Sequence, residues 1–187
     1  MEGYHYIKRG IDIILSGMAI VILSPLLLFL CIAIKLDTPG PILFKQKRVG
    51  IHRSFFQIYK FRTMRIDTPK DVPTHMLENP EQYITKVGKF LRKTSLDELP
   101  QIFNIFKGEM SIVGPRPALW NQDDLVAERE KYGANDVTPG LTGWAQINGR
   151  DELEIPDKAR LDGEYVKHLG PWMDLKCFLG TIGSVLM

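Results

Sequence analysis

From Ile13 to Ile34 the chain runs for 22 residues without a charged side chain, bounded by Asp12 and Lys35. At about 1.5 Å per residue, a helix of this length reaches across a hydrocarbon core of about 30 Å. A cleaved signal peptide is a poor match, because its apolar stretch is about 7 to 15 residues and ends in small residues, whereas here the run continues to Lys35. The segment is therefore expected to persist in the mature protein.

Two paths through a bilayer fit the residues. The first is a single straight span. The second is a helix that enters and returns to the same face, broken at Ser24-Pro25 near the midpoint of the run. Proline removes one intrahelical hydrogen bond and clashes with the preceding turn, and a neighbouring serine hydroxyl can occupy the carbonyl left over. Charge favours the second path without deciding it. Lys8 and Arg9 precede the run, and from Lys35 to Ile66 eight cations (Lys35, Lys45, Lys47, Arg48, Arg53, Lys60, Arg62, Arg65) face one anion, Asp37. Both flanks thus carry the excess of positive charge typical of the cytoplasmic side.

The whole chain has 187 residues, enough for one catalytic domain plus an appendage. With 44% hydrophobic and 25% charged residues, it is neither disordered nor polytopic. The net charge of +2 is too small to argue for nucleic acid. Cys31 and Cys177 are far apart, which excludes a disulfide framework and a cysteine metal site. No G-x-x-x-x-G-K-[ST], G-x-G-x-x-G, H-E-x-x-H or C-x-x-C string occurs, so P-loop, dinucleotide and zinc-hydrolase chemistry have no foothold.

After the turn Asp37-Thr38-Pro39-Gly40-Pro41, residues 42–46 and 55–61 read as the strands of a hairpin. Residues 67–82, with Pro69, Pro73 and Pro80, read as a surface loop. Leu99, Ile102, Phe103 and Phe106 keep helical spacing, and Lys107-Gly108 supplies a stop. Pro100 belongs in the first turn of that helix, so the helix is expected to begin between Leu96 and Leu99. Asp97 and Glu98 then lie at its positive end. They have a purely structural explanation as well, because Ser95 and Glu98 match the S-x-x-E capping box.

Ser111 to Val113 reads as a strand leading into Gly114-Pro115-Arg116-Pro117, a stiff loop that holds one guanidinium between prolines. Residues 123–132 read as a helix with a solvated acidic face. The turn residues of 138–144 and 148–150 bracket a short expected strand, and their glycines with Arg150 form either an anion-binding rim or plain tight turns. Helices are expected over 153–169 and 172–187, the latter either at a membrane interface or in the core.

An anchor in lipid, a basic region beside it, an acidic pair and arginines in stiff loops suit a phosphorylated substrate met at a bilayer surface. The string TSLDELPQIFNIFKGEMSIVGPRP (94–117), with KFRTM (60–64), TPGLTGWAQINGR (138–150), KRGID (8–12), Ser24-Pro25 and DTPGPILFKQKRVG (37–50), resembles the bacterial sugar transferase family, the small monotopic polyprenyl-phosphate phosphoglycosyl transferases. The likeness covers nearly the whole chain in the same order.

The resemblance implies an α+β fold. A re-entrant, helix-break-helix membrane segment over 1–36 would precede a small, mostly helical cytoplasmic catalytic domain over 37–187, with short strands and interfacial amphipathic helices. It implies transfer of a sugar-1-phosphate from a UDP-sugar to polyprenyl phosphate (undecaprenyl phosphate), with release of UMP, as the initiating step of bacterial glycoconjugate synthesis. It places the protein on the cytoplasmic face of the bacterial inner membrane, among membrane lipids and without nucleic acid, and leaves a homo-oligomer open. By residue, it implies Asp97 as a nucleophile that forms a covalent phosphosugar, with Glu98 in proton handling or metal support. Lys60, Arg62, Arg92 and Arg116 would contact phosphate, and Arg150 the nucleotide. Mg²⁺ would be touched by Asp97 and Asp162, and the membrane break would fall at Ser24 and Pro25. Carboxylates form acyl phosphates, and arginine forks hold paired phosphate oxygens. Two further readings, an inactive membrane scaffold and a basic module docking through residues 35–66, lack a role for Asp97.

Overall fold

The structure, a computed structural model, describes residues 2–68, 80–149 and 152–186. The loop expected over 67–82 falls mostly outside these residues, as does Arg150; Pro80–Tyr83 forms a 3₁₀ turn.

The apolar run forms α1 (Glu2–Asp37), which continues helical through Ser24 and Pro25. Pro25 has no N–H to offer the carbonyl of Val21, and the Ser24 hydroxyl donates to that oxygen at 2.8 Å instead. Strands β1 (Leu43–Val49) and β2 (Phe55–Phe61) form the expected antiparallel hairpin, in register from Leu43 opposite Phe61 to Val49 opposite Phe55. Helix α2 (Lys86–Lys93) starts at Thr85, whose hydroxyl accepts from Gly88 N, and α3 (Gln101–Lys107) ends at Gly108, in the left-handed region at φ 90°.

Strand β3 (Ser111–Val113) and helix α4 (Asp123–Glu130) follow as expected. The next stretch differs. The strand β4 (Gly140–Thr142) lies inside the first glycine-rich string and pairs in parallel with β3, while the segment expected as a strand is the short helix α5 (Trp144–Ile147). The pairing demands close backbone approach: a Cβ on Gly140 would stand 2.1 Å from Gly114 N. Alternation over so few residues could not reveal a partner 29 positions away. Helices α6 (Ile155–Lys167) and α7 (Pro171–Leu186) complete the chain.

Helix α1 is joined to the rest of the molecule along its length. Near its start, Lys8 Nζ reaches Asp174 on α7 at 2.5 Å, and Arg9 donates to the carbonyls of Ile105 and Phe106 at the end of α3. Asp12, buried, accepts from Ile112 N in β3 at 3.0 Å. Further on, Leu27, Leu30 and Ile34 share a buried cluster with Phe61, Leu91 and Ile102. At its end, Asp37 accepts from Val87 N at 3.0 Å. Ile14, Val21, Ile22, Leu28 and Phe29 point outward, and so do Phe90 on α2, Phe106 on α3 and Trp172, Phe178 and Leu179 on α7. Among the described residues, α1 is the one helix long and apolar enough to cross a membrane.

Candidate active site

The hairpin and α3 are fastened by one buried amide. Asn104 Oδ1 accepts from Tyr59 N at 3.0 Å, and its Nδ2 donates to Gln57 O and Glu109 Oε2, each at 2.7 Å. This holds the turn before α3 against the end of β2, where Lys60 stands.

That turn differs from the expected helix start. Leu96–Glu98 is a 3₁₀ turn, and α3 begins only at Gln101. Ser95 is in the left-handed region at φ 56° and its hydroxyl caps nothing, so the capping box is not formed. Pro100 explains the delay, since it has no N–H to join an earlier turn. Electrostatic support for Asp97 therefore comes chiefly from side chains, because the field of a seven-residue helix starting four residues later is weak there.

The two carboxylates have different surroundings. Glu98 Oε1 receives Lys60 Nζ at 2.7 Å and Arg116 Nη2 at 2.8 Å. Burial works against its charge, yet Arg116 and Lys60 outweigh that and hold its pKa at about 2. Asp97 makes no ion pair with any described residue. Burial pushes its carboxyl above the ordinary aspartate range, Glu98 adds to the rise, and Lys60 and Arg92 oppose it. Arg92 donates to Thr63 Oγ1 at 2.9 Å, which keeps it beside the turn.

All of these groups line one cleft of about 1060 Å³. Lys45, Arg48, Lys60, Arg62, Arg65, Arg92, Arg116, Arg129 and Lys158 face Asp97, Glu98 and Asp162 there, nine cations against three carboxylates. Such a cleft attracts a multiply charged anion. Arg116 is placed by backbone on both sides: Pro115 O accepts from Gly140 N at 2.9 Å and Pro117 O from Arg48 at 3.0 Å.

Of the residues singled out in the sequence, Lys60, Arg62, Arg92, Asp97, Glu98, Arg116 and Asp162 come together in this cleft, and Ser24 and Pro25 lie away from it on α1. The Arg62 guanidinium is engaged with the carbonyls of Thr38 and Pro39, so it anchors the turn after α1 while lining the cleft. Asp162 is fully buried and paired through Oδ2 with Arg129 Nη2 at 2.6 Å; its Oδ1 meets no partner among the described residues.

Arg48, in the sequence one of eight flanking cations, also lines the cleft. It is largely buried, donates to Gln46 Oε1 at 2.8 Å, and has its pKa lowered to about 10 by burial and then by Arg116. Strand alternation could have flagged it, since Gln46 and Arg48 share the face opposite Lys45 and Lys47.

The two residues expected to touch magnesium could complete a site for it only together with substrate. Asp97 and Asp162 line the same cleft, and Asp162 Oδ1 is a buried oxygen without a partner among the described residues. No group of three His, Cys, Asp or Glu residues converges among the described residues, so the remaining ligands would be phosphate oxygens and water.

A family model described as Bacterial sugar transferase matches residues 3–187. The chain is 40% identical over 189 residues to UDP-glucose:undecaprenyl-phosphate glucose-1-phosphate transferase of Escherichia coli (strain K12), covering 94% of this chain and 39% of that protein. It is 38% identical to UDP-N-acetylgalactosamine-undecaprenyl-phosphate N-acetylgalactosaminephosphotransferase of Aeromonas hydrophila, covering 98% and 44%. It is 39% identical to an uncharacterized sugar transferase of Bacillus subtilis (strain 168), covering 97% and 88%. The chain thus spans about two fifths of the length of the first two.

Proposed function

The chain belongs to the bacterial sugar transferase family, and from that premise we propose that it transfers a sugar-1-phosphate from a UDP-sugar to undecaprenyl phosphate. The reading rests above all on Asp97, a carboxylate that lines a cationic cleft without an ion-pair partner among the described residues, next to a second carboxylate already held by Lys60 and Arg116.

An Asp97 oxygen attacks the sugar-bearing phosphorus, the bond from that phosphorus to the bridging diphosphate oxygen breaks, and UMP leaves with the electron pair. An oxygen of undecaprenyl phosphate then attacks the same phosphorus, the acyl–phosphate bond breaks, and the Asp97 carboxylate is regenerated. Splitting one displacement in two lets a single site serve a soluble donor and a lipid acceptor in turn. Glu98 stays ionised and holds Lys60 and Arg116 toward the phosphates, while Arg92 faces the nucleophile. Asp97 and Asp162 would hold Mg²⁺, which when bound neutralises charge on the phosphate oxygens. Arg150, beside the nucleotide by family resemblance, lies outside the described residues.

Helix α1 is proposed to enter and leave the cytoplasmic leaflet of the inner membrane on one side, bending at Ser24-Pro25, with the membrane piece over 1–36 and the catalytic unit over 37–187. Contacts at Lys8 and at Asp37 to the same folded unit support this, because the ends of a straight span lie about 30 Å apart on opposite sides of the core. Outward-facing Phe106, Trp172 and Phe178 suit a molecule partly immersed in that leaflet.

The relatives carry names with different sugars at similar identity, so the donor sugar is left to experiment. UMP release from a panel of UDP-sugars, with undecaprenyl phosphate and Mg²⁺, tests the activity. Asp97→Asn is expected to lower turnover roughly 10³-fold or more. Without the lipid, intact-mass spectrometry is expected to find the phosphosugar on Asp97; an adduct elsewhere, or turnover surviving Asp97→Asn, overturns the mechanism.

A further inference from the structure

Seven buried side-chain atoms lack a hydrogen-bond partner among the described residues: Arg48 Nε, Arg62 Nε, Gln101 Nε2, Ser111 Oγ, Gln146 Nε2, Gln146 Oε1 and Asp162 Oδ1. Five of them belong to side chains that line the cleft. Burying a polar group unpaired is costly, so such a concentration marks surface shaped for a polar ligand. The arginines and Asp162 suit phosphates and a cation. Gln146 is different: it is uncharged, and both its donor and its acceptor are unpaired.

A carboxamide offers an N–H and a carbonyl oxygen side by side. Its full complement is a group that presents an acceptor and a donor in the same arrangement. A secondary amide of an N-acetylated sugar is trans, with its N–H and C=O pointing apart, so one carboxamide cannot meet both. Sugar hydroxyls rotate and need no such fixed pair. The imide edge of uracil, a ring N3–H beside a ring carbonyl, matches it. Gln146 stands on α5 next to buried Ala145, and both line the cleft.

We propose that Gln146 reads the nucleobase of the donor, with Oε1 accepting from uracil N3–H and Nε2 donating to the adjacent carbonyl. The assignment rests on the UDP-sugar reading above and adds a specificity-determining residue to it. Gln146 lies in the string TPGLTGWAQINGR, where Trp144 has its own task, donating to Glu164 at 3.0 Å.

The test compares UMP with 3-methyl-UMP, in which the N3 hydrogen is replaced by a methyl group. Binding to the full chain in detergent with Mg²⁺ is measured by calorimetry for the wild type, Gln146→Leu and Gln146→Met, with inorganic pyrophosphate as a probe of the phosphate subsite. The wild type is expected to bind UMP at least about tenfold more tightly than 3-methyl-UMP. Both variants are expected to lose that preference through weaker UMP binding while keeping the pyrophosphate affinity, which also reports that they are folded. A folded variant that keeps the wild-type preference, or a wild type that shows none, overturns the assignment. A wild type that releases UMP from a UDP-sugar while failing this comparison loses only the role of Gln146, whereas one that neither binds UMP nor releases it loses the activity as well.

Discussion

Adjacent residues in a tight turn meet different neighbours, and for Asp97 and Glu98 this sets opposite proton affinities. Glu98, with a pKa of about 2, is ionised at any working pH, so it contributes no titration to the rate. Asp97 is raised first by burial, and in the proposed mechanism it attacks as the carboxylate, so the rate of adduct formation is expected to fall on acidification along a limb above the ordinary aspartate value. The sign of each neighbour's effect can be checked on that limb. Glu98→Gln removes a charge that raises Asp97 and is expected to move the limb to lower pH; Arg92→Met removes one that lowers it and is expected to move the limb up. Rapid-quench measurements of adduct formation against pH in the two variants decide this, and a limb unmoved in both would detach it from Asp97. Asp162 makes a different demand. It is buried with Arg129, so Asp162→Asn leaves an uncompensated guanidinium and is expected to cost about 3–5 kcal/mol, read as a lowered melting temperature. A melting temperature equal to that of the wild type would show that the pair does not support the fold.

Helix α1 combines an apolar composition with polar contacts at several levels. The run from Ile13 to Ile34 makes the element long and apolar enough to cross a membrane, and Ser24-Pro25 determines where its hydrogen bonding is weakest, because the Val21 carbonyl is left to the Ser24 hydroxyl. Neither says which side each end occupies. With Cys31 and Cys177 replaced by serine, single cysteines at Tyr6 and Leu36, both highly exposed, are expected to react with an impermeant thiol reagent only from the cytoplasmic side. Labelling of the two positions from opposite sides would establish a straight span. The strands teach a related lesson. The hairpin of β1 and β2 was legible because its partners are neighbours in sequence and its apolar and aromatic residues cluster. Strand β4 was not, since its three residues become a strand only by lying in parallel against β3, where Gly140 passes Gly114 at backbone contact. The helix at Gln101 starts later than the S-x-x-E pattern suggests, because Pro100 and the left-handed Ser95 spend the intervening residues on a 3₁₀ turn.

At the scale of the molecule, the cleft gathers side chains from both strands of the hairpin, α2, the turn before α3, the proline-flanked loop and helices α4 to α6. No group of three metal-ligating side chains converges among the described residues, so a cation bound there leans on substrate phosphates. EDTA is accordingly expected to stop UMP release, with recovery on adding Mg²⁺, and to leave the melting temperature of the substrate-free protein unchanged; undiminished turnover in EDTA would remove the metal from the reaction. Local chemistry made several features readable from one dimension: the length of the apolar run, the proline at its centre, the hairpin, and the acidic pair among basic motifs. These depend on residue type and near neighbours, and such information is carried by sequence. Which carboxylate is clamped and which makes no ion pair with a described residue, that Arg48 and Gln146 line the cleft, and that Asp162 is paired with Arg129 depend on residues far apart along the chain. Their burial and pairing arise only when distant segments pack, because desolvation and charge pairing act through space over a few ångströms.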